Sequence, residues 1–123
     1  MGASAAHAAA FYDESARHGS VWTVRDAGGV PAPLNGSGRR AMPFWSLESR
    51  ADAIVRGATA YTGFEAQRIP LEEFRERWLP GLARDGLLVG LNWSGVRATG
   101  YDVEPREAEA GIASRLARGF LDD

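Results

Sequence analysis

The chain has 123 residues, 45% hydrophobic and 24% charged, with a formal net charge of −2. That fits one domain, which can bury about two-thirds of its unfolded surface without staples. With no Cys and no Lys among its residues, it can have no disulfide, thiolate nucleophile, zinc ribbon, iron–sulfur ligation, Schiff-base lysine or phosphate-loop lysine.

The first residues are Ala-rich, lack a basic start and run into Asp13 and Glu14, which makes a poor secretory signal. Ala6 stands where a myristoylation signal has Ser or Thr. Residues 4–18 read as a helix capped by Ser4, with Ala8, Phe11, Tyr12 and Ser15 on one stripe and Gly19 as its stop. Residues 20–25 are β-branched and aromatic, the composition of a strand. After a turn at 26–29, Pro31 and Pro33 limit residues 30–34 to an edge. A second turn at 35–38 leads to a strand over 40–45, where Pro43 marks an edge or a bulge. Ser46 is expected to cap a helix over 47–56 that ends at Gly57.

Residues 64–69 form a further short strand. Pro70 opens a helix with Leu71, Phe74, Trp78 and Leu82 on one face, Glu72 and Glu73 near its positive end, and a kink or split at Pro80. Residues 87–93 are the most apolar segment and read as a buried strand. Ser94-Gly95 is expected to make a two-residue hairpin turn, with residues 96–102 returning. A last helix starts at Pro105 and runs to about Leu121, with Ile112, Leu116 and Phe120 on one face. Gly111 weakens it by roughly 1 kcal/mol relative to Ala. The order α-β-β-β-α-β-α-β-β-α predicts a single α+β domain: a mixed, mostly antiparallel sheet with about four flanking helices.

Four phrases occur together: Val21-Trp22-Thr23-Val24-Arg25-Asp26; Arg40-Ala41-Met42-Pro43-Phe44-Trp45-Ser46; Leu71-Glu72-Glu73-Phe74 with Trp78-Leu79-Pro80-Gly81-Leu82; and Asp85-Gly86-Leu87-Leu88-Val89-Gly90-Leu91-Asn92-Trp93-Ser94-Gly95. In order and spacing they resemble the bacterial family called domain of unknown function 2750, over residues 11–105. The resemblance implies a small bacterial α+β protein and no activity.

No motif assembles catalytic chemistry. His7 and His18 are eleven residues apart, too far for a joint metal site on one helix. Gly36-Ser37-Gly38-Arg39-Arg40-Ala41 matches a loose dinucleotide fingerprint but opens no helix. Gly-x-Ser-x-Gly does not occur. Asp102 and Glu104 can serve as acid, base or metal ligands, but carboxylates beside a helix start more often answer its dipole. The expectation is no catalytic residue, no metal and no cofactor.

What stands out is Trp with Arg, the pair that dominates protein–protein hot spots. Trp78 and Trp93 lie in apolar surroundings and read as core; Trp22 and Trp45 have arginines as their polar company. Candidate binding residues are Trp22, Arg25, Arg40, Phe44, Trp45, Ser46, Arg50, Asn92, Trp93, Ser94 and Arg97. Residues 1–63 carry six Arg against five acids, and residues 64–123 eight against eleven, a balance that argues against nucleic acid. No apolar run approaches the ~20 residues of a bilayer span, and the lack of Cys suits a reducing cytoplasm. The leading expectation is a cytoplasmic, non-enzymatic module, regulatory or immunity-like, that binds another protein through a patch including Trp22 or Trp45. The alternative is a small-molecule or anion site at the helix start after Trp45, beside the Asn92-Trp93-Ser94-Gly95 turn.

Overall fold

The computed structural model describes residues 3–122, and the side chains of residues 5–119. Strand β1 (Ser20–Arg25) pairs antiparallel with β3 (Glu65–Pro70), Val21 opposite Ile69 and Val24 opposite Ala66. Strand β4 (Leu88–Ser94) has β2 (Ala41–Phe44) parallel on one side and β5 (Thr99–Val103) antiparallel on the other. These two- and three-stranded sheets touch at one rung. Trp22 and Trp45 exchange both backbone N–H···O bonds at 2.7 Å. Next to it, the Thr23 hydroxyl donates to the Pro43 carbonyl at 2.9 Å. Pro43 is tolerated because its missing N–H falls on the side of β2 away from β4, and Thr23 satisfies its carbonyl by side chain instead. The order across the molecule is β3-β1-β2-β4-β5; the sequence predicts no order, but the pairing is mostly antiparallel, as it predicts.

Alternation divides the side chains between two faces. On one face Val21, Phe44, Ile69, Val89, Leu91 and Val103 form a core with Phe11, Phe74, Leu79, Leu82 and Ile112. The latter come from α1 (Ala3–His18), the helical run from Leu71 to Arg84, and α5 (Pro105–Asp122). On the other face Val24, Ala41, Trp45, Leu88 and Trp93 pack under a single helix, α2 (Glu48–Gly57), and Tyr61 just beyond it. Trp93 reaches that face through a bulge. Asn92 adopts a left-handed conformation (φ 51°), the β4–β5 register shifts between Leu91 and Ser94, and the indole comes to lie over Gly90 and Gly100. A Cβ on Gly90 would come within 2.5 Å of that ring, and one on Gly100 within 2.8 Å.

Two local expectations are corrected, and one glycine gains a second role. The helix after β3 begins at Leu71 with Pro70 at its cap position, as expected, but Pro80 does not split it: α3 (Leu71–Glu73), a π turn (Phe74–Trp78) and α4 (Leu79–Arg84) run on continuously. A proline ring clashes with the carbonyl four residues back, here Glu76, and the wide π turn lying there takes up the strain. The β4–β5 loop spans four residues, 95–98, with Ser94 paired to Thr99. Trp93 seated on Gly100 fixes this register in place of a two-residue turn. Gly111 is a contact site: a Cβ there would meet the Tyr12 ring at 2.5 Å, so its helix-weakening effect accompanies a close α1–α5 approach. The expected Ser4 cap and the Phe120 and Leu121 side chains lie outside the described side chains.

Candidate functional site

Ser46 and Asn92 are both buried and meet at the start of α2. Asn92 Oδ1 accepts the Ser46 backbone N–H at 3.0 Å, and Asn92 Nδ2 donates to Ser46 Oγ at 3.0 Å. The Ser46 hydroxyl in turn donates to Glu14 Oε1 at 2.6 Å. Arg50 closes the cluster by donating Nε and Nη2 to the two Glu14 oxygens, each at 2.9 Å. Hydrogen bonding from Arg50 holds the Glu14 carboxyl below its ordinary range, against burial, with Ser46 assisting. The same bond raises Arg50. Ser46 therefore is not the cap of α2. The cap position is Leu47, with no side-chain cap bond, because the Ser46 hydroxyl is committed to Glu14 and Asn92. Glu14 thus places a carboxylate of the chain itself beside the α2 start, where the sequence offered a small anion as the alternative ligand.

Trp45 and Phe44, proposed above as contact residues, are both fully buried. Trp45 lies in the core beneath α2 and donates its indole N–H to the Trp93 carbonyl at 2.8 Å. Phe44 packs edge-on against Phe74 and Trp78. Neither can belong to a docking patch, since the layers above them are filled by their own chain.

Open surface lies instead on both sides of the β4–β5 loop. A concavity of about 300 Å³ is lined by Arg50, Ile54, Gly57, Asn92, Ser94 and Val96. A larger cleft of about 540 Å³ lies between that loop and residues 33–37, lined by Leu34, Asn35, Tyr61, Trp93, Arg97 and Asp102. Trp93 contributes to the wall of both. In the larger cleft Asp102 is half-buried. It accepts the Trp93 indole N–H on Oδ1 at 2.9 Å and Asn35 Nδ2 on Oδ2 at 3.0 Å. Asn35 is oriented by its own turn, where Oδ1 accepts the N–H groups of Ser37 (2.9 Å) and Arg39 (3.0 Å). The rims are apolar: Leu34 is 61% exposed and Val96 77%.

A model of the family described as "Protein of unknown function (DUF2750)" matches residues 8–111. The chain belongs to that family. No curated protein and no solved structure shows a significant match. The DUF2750 match takes in Glu14, Ser46, Arg50, Asn92 and the whole of both concavities.

Of the predicted residues in this DUF2750 chain, Ser46, Arg50, Asn92, Trp93 and Ser94 gather around the α2 start and the smaller concavity, and Arg97 borders the larger. The structure does not bring Trp22, Arg25 and Arg40 into that group. Trp22 is half-buried against the α2-side core. Arg25 donates to Gln67 at 3.3 Å and Arg40 to the Ala32 carbonyl at 3.0 Å. Sequence reasoning missed Glu14, Asn35 and Tyr61. Asn35 had a readable signal, since Asn-Gly turns fix their own amide; Glu14 had none, because its partners are 32 and 36 residues away. His18 is exposed, as expected for a helix surface, whereas His7 is half-buried. Among the described residues no three His, Asp or Glu side chains gather to hold a metal, and no helix is long and apolar enough to cross a membrane.

Proposed function

We propose that this chain is a bacterial, cytoplasmic, non-enzymatic binding module with a regulatory or immunity-like role, and that it docks another protein through the loop end of the α2 side. The observation that supports this reading is the exposure of Leu34 and Val96, the two most exposed large apolar side chains in the described structure. They rim two adjoining concavities walled by Trp93. Apolar rims around aromatic-walled hollows are where protein partners seat anchor residues. The anion reading of the α2 start is less favoured, because Glu14 already engages Ser46 and Arg50.

Photo-crosslinking tests the docking reading. A photoreactive residue is placed at Val96, at Leu34 or, as a control on α5, at the exposed Ala117. The expected result is one discrete adduct shared by the first two positions, absent at Ala117, and lost from the Leu34 probe when Val96→Asp is added. Equal adducts at all three positions, or none, would overturn the reading.

A further inference from the structure

The larger cleft presents two opposite charges that the chain itself leaves unmatched. Asp102 is half-buried, yet only neutral donors, Trp93 and Asn35, reach it. Every ion pair among the described residues lies elsewhere. Each Asp102 oxygen keeps a further acceptor direction, so the carboxylate can take a charged donor from a ligand. On the same cleft stands Arg97, exposed and without an acid partner among the described residues. Trp93, Tyr61 and Leu34 line the same cleft.

We propose that the cleft is a binding site for a free α-amino acid with an apolar side chain. The ammonium group meets Asp102, the carboxylate meets Arg97, and the side chain lies along Trp93 and Tyr61. A simple cation would be attracted by Asp102 but repelled by Arg97, and a simple anion the reverse; a zwitterion satisfies both. The 540 Å³ volume is within the usual range for small-ligand sites, about 300–1,000 Å³. The chain contributes the amide and indole that orient the carboxylate, so the acidic wall is set before the ligand enters.

This inference goes beyond the docking face and is tested separately from it. The twenty free amino acids are titrated at millimolar concentration against the intact protein, read by tryptophan fluorescence and thermal shift. The tightest ligand is then repeated as its N-acetyl and its amide derivative. Wild type should bind the free form, and each derivative should bind about tenfold or more weaker, as expected when a charged hydrogen bond is lost. Asp102→Asn should weaken the free form similarly and no longer discriminate against N-acetylation. Arg97→Gln should no longer discriminate against amidation. Arg97 is exposed, so its variant decides the matter even if Asp102→Asn fails to fold. Val96→Ser, which removes the apolar rim of the neighbouring concavity without adding a charge beside Arg97, should leave amino-acid binding unchanged while weakening the crosslink. No saturable response in wild type, or variants that discriminate as wild type does, would overturn the site.

Discussion

The two faces of the sheet are built on different terms. On the helical side, α1, α5 and the Leu71–Arg84 run close over an apolar core of Phe11, Phe44, Phe74 and Ile69, with the Arg75–Glu109 and Arg115–Asp13 ion pairs tying the helices at its edge. On the other side, ten-residue α2 covers only part of the sheet. There Trp45, Trp93, Asn92 and Asp102 are held by directed hydrogen bonds, and two concavities stay open. Both faces carry surface hollows, one of about 570 Å³ lying beside Arg75 and Glu109 on the helical side, so what separates them is how they are held: mostly dispersion and burial on the first, and a few oriented polar bonds on the second.

That contrast can be broken in steps. Phe44→Ala, in the core of the helical face, should have the largest effect, about 3–5 kcal/mol lost in chemical denaturation. Gly90→Ala, on the open face, should cost about 1–3 kcal/mol, because the new methyl displaces the Trp93 indole. It should also change tryptophan emission as the Asp102 bond is lost. Asn92 should separate conformation from bonding. Asn92→Gly keeps the left-handed backbone and loses only the Ser46 bonds, about 1–3 kcal/mol for buried groups left unpaired; Asn92→Ala should cost about 1 kcal/mol more. An equal cost for the two would mean that the bonds alone matter.

The smallest effect expected is that of Glu14→Gln, about 1 kcal/mol or less, since both partners are partly exposed. Its signature is in pH. The Glu14 carboxyl is lowered in the fold, so its contribution is complete above the ordinary glutamate range and is lost as pH falls through the lowered value. Acid denaturation of Glu14→Gln should show a shallower dependence in that window, and an unchanged slope would place Glu14 outside the stability balance.

Much of this was legible because it is local. The β-branched and aromatic run around Val21, Trp22 and Val24, the Gly19 stop and the Pro105 start follow from neighbours in sequence. What escaped depends on distant partners. Ser46 looked like a cap until Glu14 and Asn92 came to it across the fold. Trp45 looked available until α2 closed over it. The split expected at Pro80 is absent because a π turn over Phe74–Trp78 lies where the proline ring meets the Glu76 carbonyl. The pairing of Asn92 with the α2 start was expected as proximity; the carboxylate already seated there was not.

Finally, β1 and β2 share one rung, the Trp22–Trp45 pair, with the Thr23 hydroxyl beside it. Force applied across that seam is borne by three hydrogen bonds, whereas β1 and β3 share a ladder six residues long. Under load the molecule should tear along this seam, with β1 and β3 departing together as one flap, so its mechanical strength depends on pulling direction far more than its equilibrium stability would suggest.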